Sequence, residues 1–89
     1  MNKTYVPVAC ALYSRYELAI LHGEALRVSW CAARGVHRVE SLIPLDLRTR
    51  RHAEFMIART LDGGRRVLRL DRIIRSEPIP QPDLDQSHR

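Results

Sequence analysis

Arginine dominates the chemistry available to this chain, with fourteen residues that are unevenly placed. Arg48, Arg50 and Arg51 crowd one short stretch, and Arg65, Arg66, Arg69, Arg72 and Arg75 follow in another. A guanidinium presents a planar fork of donors that matches phosphate or carboxylate, so repeated arginines suit an anionic partner and salt-dependent binding. Residues 46–77 hold nine basic and five acidic side chains, and the formal charge of the chain is +5. Asp62, Asp71 and Glu77 stand close enough in sequence to pair locally with some of these arginines, which would leave a solvated face. If the hairpin after Asp62 is a strand pair, Arg65 and Arg69 share one face with Val67 between them. Residues 62–77 contain no aromatic side chain, which argues against base-stacking recognition of RNA by that hairpin itself.

Catalytic and metal chemistry find less support. There is neither a G-x-x-x-x-G-K-[ST] nor a G-x-G-x-x-G phosphate loop, and His22, His37, His52 and His88 form no H-x-x-x-H pair. Cys10 and Cys31 lie far apart without a C-x-x-C, so they read as reduced thiols rather than as a disulfide framework or half of a zinc site. Ser41 or Cys31 would need a histidine and an orienting acid brought to it, and nothing nearby in sequence supplies them. The expectation is a non-enzymatic protein without cofactor, metal or small-molecule substrate.

These side chains must be positioned by a small domain. Eighty-nine residues, 45% of them hydrophobic, make one thin core and leave no room for a two-domain enzyme. No apolar run reaches bilayer length, and Met1–Thr4 lack the start of a signal peptide, so the expected location is cytoplasmic, away from membranes. Pro7 makes residues 4–8 extended. Leu12, Tyr16, Ala19 and Ile20 recur along one side of a short helix over residues 11–22, with Gly23 as its stop. Tyr13 and Glu17 then share another face, with Ser14 outward.

Leu26, Val28 and Trp30 alternate with polar residues as a strand with one buried face, and Ala33-Arg34-Gly35 gives a tight connection. Val36–Leu47 is a second strand region in which Pro44 should mark an edge, a bulge or a break. Residues 48–52 read as a polar turn. Ala53–Leu61 is apolar on both faces, Phe55 and Ile57 on one, Met56 and Ala58 on the other. Asp62-Gly63-Gly64 is a hairpin turn, followed by a strand with Leu68 and Leu70 and a short last strand through Ile73 and Ile74. The expected core is Tyr5, Leu12, Tyr16, Ala19, Leu26, Val28, Trp30, Phe55, Ile57, Leu68 and Leu70. One helix and about five strands, with edges to hide, predict a mainly β domain over residues 1–77. Its expected form is a small closed barrel of about five strands with the helix over one open end, and composition alone does not choose among Sm-like, SH3-like and OB-like barrels. Residues 78–89, with three prolines in the first five positions, predict a disordered polar tail.

A family likeness joins these pieces. Thr4-Tyr5-x-Pro7-Val8-x-Cys10, then Tyr13 and Glu17-Leu18-Ala19, resemble the opening of the bacterial Rho-binding antiterminators, also called Rof or modulators of Rho-dependent termination. Asp46-Leu47, Arg50, Glu54-Phe55 and Leu68-Arg69-Leu70-Asp71-Arg72-Ile73 are similar to that family's later strands, in the same order. The resemblance implies an N-terminal helix on an Sm-like barrel that binds the termination factor Rho, obstructs its RNA-binding site and reduces termination. It also implies contact through an acidic surface that includes the helix. Ala11, Leu12, Ser14 and Arg15 occupy positions where such acids often stand, leaving Glu17. Tyr13, Ser14 and Glu17 are therefore the expected protein-binding residues, Glu17 aimed at a cation on Rho. The alternatives are an RNA-binding domain using Arg48, Arg50, Arg51, Arg65 and Arg69, or an adaptor for another protein.

Overall fold

A computed structural model describes residues 10–80. Helix α1, Cys10–His22, ends where Gly23 takes φ 66°. The Gly23 N–H donates to the Ile20 carbonyl (3.2 Å) and the Glu24 N–H to that of Ala19 (2.9 Å), the two bonds of a Schellman stop. Five strands follow: β1 Leu26–Cys31, β2 His37–Arg50, β3 Ala53–Thr60, β4 Arg65–Arg69 and β5 Ile73–Pro78. A one-turn 3-10 segment, Ala33–Gly35, links β1 to β2, and another, Leu70–Arg72, links β4 to β5. All four strand pairings are antiparallel.

The expected barrel does not form. Strand order is β4-β3-β2-β1-β5, with β4 and β5 as two separate edges and no ladder joining them. Only Leu70–Arg72 separates these edges in sequence, so the sheet must curl enough for a three-residue span of about 10 Å. It curls without closing. The requirement that strand edges be protected is met in another way: β4 is five residues long and carries Arg65, Arg66 and Arg69, while β5 carries Arg75, Glu77 and a terminal Pro78. Short, charged and proline-bearing edges resist pairing with another chain without the sheet having to seal on itself. Arg66 also ties β4 to the first half of β2 through a two-pronged pair with Glu40, at 2.9 Å for both contacts.

The core lies between α1 and one face of the sheet. Tyr16 and Ala19 of the helix meet Leu26, Val28, Trp30, Leu42, Met56, Ala58, Leu68 and Leu70, with Leu12, Tyr13 and Leu47 packed against them. The Tyr16 hydroxyl and the Ser76 Oγ share a hydrogen bond of 3.0 Å that fastens the helix to β5. Burial also pushes the Tyr16 phenol above its ordinary pKa. Two expected core members stand elsewhere. Phe55 and Ile57 are only partly buried and lie on the face of β3 opposite Met56 and Ala58. Tyr5 and residues 81–89 of the expected tail lie outside the described residues. Pro78 closes β5, and the next residue, Ile79, donates its N–H to the Ala25 carbonyl (3.1 Å).

Pro44 marks a bulge, one of the three outcomes its missing donor allowed. The β2–β3 register slips between Pro44 and Asp46, leaving Leu45 48% exposed. One extra residue reverses the facing of everything after it, because side chains alternate strictly along a strand. Beyond the bulge Leu47 therefore turns inward opposite buried Met56, and Asp46 and Arg48 stand beside Ile57 and Phe55.

Candidate functional site

The reversal at Leu45 assembles a surface that the linear sequence conceals. Across the outer face, register places Arg48, Phe55 and Arg69 in one row over β2, β3 and β4. The next row is Asp46, Ile57 and Val67, and the one after it holds Ile43, Arg59 and Arg65. Arg50 sits beside Ala53 at the opposite end. Neighbouring strands are about 4.8 Å apart and same-face residues on one strand about 6.7 Å, so an apolar strip of Phe55, Ile57 and Val67 is bounded by arginines at both ends within about 20 Å. Val67 is 54% exposed although it lies in a strand.

Three clefts open around Phe55. One of about 600 Å³ is lined by Arg48, Arg50, Phe55, Ile57, Arg65 and Val67. A second, about 460 Å³, lies among Arg50, Arg51, Ala53, Phe55 and Arg69. The third, about 530 Å³, runs from Phe55 past Arg69 and Arg72 to Arg34 and the edge of Trp30. All five arginines singled out from sequence thus border the same ring. Phe55, Ile57, Val67 and Arg59 complete the surface and were not among the candidate binding residues. Residues 62–77 hold no aromatic, and the ring beside their arginines comes from the neighbouring strand, where Phe55 pairs with Arg69.

The charges on this face divide into two groups. Arg48 Nε donates to Asp46 Oδ2 at 2.7 Å, and that bond holds the Asp46 carboxyl below the usual carboxylate range. Arg69 donates from Nε and from its terminal nitrogen to the two oxygens of Asp71, at 2.9 and 3.1 Å. These two arginines are locally neutralised. Arg50, Arg51, Arg59 and Arg65 have no acidic partner among the described residues. Arg59 and Arg65 are moreover a direct cross-strand pair, a placement in which like charges destabilise a sheet unless an anion lies between them.

The β2–β3 connection adds backbone strain at the same place. The expected turn over residues 48–52 shrinks to Arg51-His52, because Arg48 to Arg50 continue the strand. Both loop residues take left-handed φ, 51° and 67°. A two-residue hairpin of this type favours Asn-Gly, and side chains with a Cβ are held there at a cost of about 1 kcal/mol or more each. By contrast, Asp62-Gly63-Gly64 forms its turn with glycine at φ 99° and Thr60 N–H to Gly64 O at 2.8 Å. The less favourable chemistry sits where it supplies a cation at the rim of the clefts.

The helix residues form a different corner. Ser14 and Glu17 are exposed, while Tyr13 is partly buried rather than fully outward. Tyr13, Glu17, Ile20, Asp46 and Leu47 line a cleft of about 230 Å³. Burial, and then the negative charges of Glu54, Glu17 and Asp46, raise the Tyr13 pKa above its ordinary value. No group of three or more His, Cys, Asp or Glu side chains able to hold a metal is present among the described residues. Cys10 is exposed, Cys31 half-buried, and both are free thiols. Among these residues no helix is long and apolar enough to cross a membrane.

Comparisons with known proteins give a likeness of fold. No family model matches the chain, and no curated protein matches it. Among solved structures, it is similar to proteasome accessory factor B/C (PafBC) of Arthrobacter aurescens, with a TM-score of 0.71 and 25% identity over 84% of this chain. The matched part is only 12% of the PafBC chain, so the likeness is to one small portion of a much longer protein.

Proposed function

We propose that the domain is a non-catalytic binding module whose working surface is the arginine-bordered outer face of β2, β3 and β4, and that its partner is single-stranded RNA. The observation that carries this reading is the facing pair Arg59 and Arg65, without an acidic partner among the described residues, at the end of a partly exposed apolar strip. A phosphate between two guanidiniums turns a repulsive contact into a charge-assisted one. With Arg50 and Arg51 at the far end, four cations without an acidic partner among the described residues are spread along a strip of about 20 Å. The test is fluorescence anisotropy with a labelled single-stranded RNA across a salt series. Four phosphate contacts give a slope of log K on log salt of roughly −3. Arg59→Ala and Arg65→Ala should each flatten that slope by roughly one contact. Absence of binding at low salt would contradict the reading.

A second reading has its own observation. Glu17, Asp46 and Glu54 lie near enough to Tyr13 to add to the rise in its phenol pKa that burial begins, so this corner gathers acids in a basic chain, with Asp46 paired to Arg48 and Glu17 exposed. A surface of that sign suits a cationic cleft, which supports docking on Rho through Tyr13, Ser14 and Glu17 as the resemblance to the Rho-binding antiterminators implies. Binding of purified Rho that is lost in Glu17→Arg and kept in Arg59→Ala would favour this reading, and the likeness to an accessory factor supports an interaction role in either case.

A further inference from the structure

We infer that Phe55 is a stacking platform for a nucleobase, so that the arginine-bordered face takes an unpaired strand with at least one base turned onto the sheet. The inference rests on the RNA-binding reading of that face and adds the part of the ligand that phosphate contacts leave unspecified.

Three observations meet at this ring. First, Phe55 lies on the outer side of β3, half-buried and outside the core cluster, while its neighbour Met56 is completely buried on the other side. Second, the arginines beside it in register are both drawn along their own strands: Arg48 to Asp46 and Arg69 to Asp71, each two residues away. Both guanidiniums are thus held by carboxylates beside the ring. Third, Phe55 is the residue common to all three clefts, and each cleft carries at least one arginine without an acidic partner among the described residues: Arg50 and Arg65, Arg50 and Arg51, or Arg34 and Arg72. An apolar ring where cationic clefts converge matches a nucleotide, whose flat base is apolar on its faces and whose charge lies at its periphery. Ile57 and Val67 continue the apolar surface toward Arg59 and Arg65 and give a neighbouring base somewhere to rest.

The same arrangement selects against a duplex. Paired bases are stacked within the helix and present phosphates and groove edges, so a duplex engages the arginines and leaves Phe55 without a partner. Stacking on one aromatic side chain corresponds to about a tenfold to hundredfold difference in affinity.

The experiment compares three labelled probes of equal length on the whole chain: a single-stranded RNA, the same ribose-phosphate strand without bases, and the matching duplex. Each is titrated against wild type, Phe55→Leu and Phe55→Tyr, with circular dichroism and thermal melting confirming that the variants fold. The expected result is single-stranded RNA bound at least tenfold more tightly than the abasic strand. Phe55→Leu should remove that advantage and leave the salt slope unchanged, while Phe55→Tyr should retain it. Equal affinity for the abasic strand and for RNA would overturn the stacking role while leaving the arginine surface intact. Tighter binding of the duplex would overturn it as well. Failure of every probe to bind at low salt would remove the RNA reading itself. If Phe55→Leu fails to fold, the abasic comparison on wild type and Phe55→Tyr still decides the matter.

Discussion

The two faces of strands β2, β3 and β4 are built from the same three segments and have opposite physical character. The inner face is Leu42, Leu47, Met56, Ala58 and Leu68, covered by Tyr16 and Ala19 of the helix. The outer face has Phe55, Ile57 and Val67 in open clefts and six arginines around them, four without an acidic partner among the described residues. Inner contacts are made for stability. Outer ones keep a like-charged pair and a strained turn that stability alone would not retain. In a domain this small, with a thin margin of folding free energy, such features fit the binding surface proposed for the outer face.

That contrast can be broken by substitution. The largest effect belongs to the inner face. Met56→Ala removes a fully buried side chain beside Leu68 and Leu47, with an expected loss of about 2–5 kcal/mol in urea denaturation. A loss far below that would mean the inner face is not the core described. At the outer rim the sign reverses: replacing Arg51-His52 by Asn-Gly relieves two left-handed residues and should raise stability by about 1–2 kcal/mol. The same variant loses a cation and should bind RNA more weakly, a pairing that thermal melting and anisotropy read together.

Smaller changes sharpen the comparison. Tyr16→Phe leaves the packing and deletes the bond to Ser76, for an expected cost of about 0.5–1.5 kcal/mol by the same denaturation assay. Acid titration reaches the surface carboxylates. Asp46, held by Arg48, and Asp62, held by the Thr60 hydroxyl and the Gly64 N–H, both have pKa values lowered in the fold. A carboxyl with a lowered folded pKa stabilises the protein above its unfolded value of about 3.9. That contribution fades as pH falls through the folded value. Melting temperature should therefore hold to about pH 5 and decline below about pH 4, with a shallower acid decline in Asp46→Asn.

Much of this arrangement is legible in the residues. The helix follows from Leu12, Tyr16 and Ala19 with Gly23 behind them, the first strand from Leu26, Val28 and Trp30, and the hairpin from Asp62-Gly63-Gly64. Pro44 signals its bulge because it has no N–H to place in a ladder. Other features are not legible. The sheet stays open because charge and proline suffice at its edges, and strand count does not distinguish that from closure. β3 is apolar on both sides, so a period of two cannot tell whether Phe55 or Met56 faces the helix. The meeting of Arg59 with Arg65, and of Phe55 with Arg48, depends on register, which the bulge at Leu45 resets. The five candidate arginines could be named one by one, but the ring they surround emerges only when the strands are laid side by side.

The most direct measurement takes stability and binding from one variant. Arg59→Ala combined with Arg65→Ala removes the unpaired like-charged row. If that row exists to hold an anion, the double variant should melt at or slightly above the wild-type temperature, through relief of roughly 0.2–1 kcal/mol of repulsion. Its affinity for single-stranded RNA should fall at least tenfold. Undiminished RNA affinity together with a lowered melting temperature would show the two arginines to be structural, and would contradict the assignment of the outer face as a binding surface.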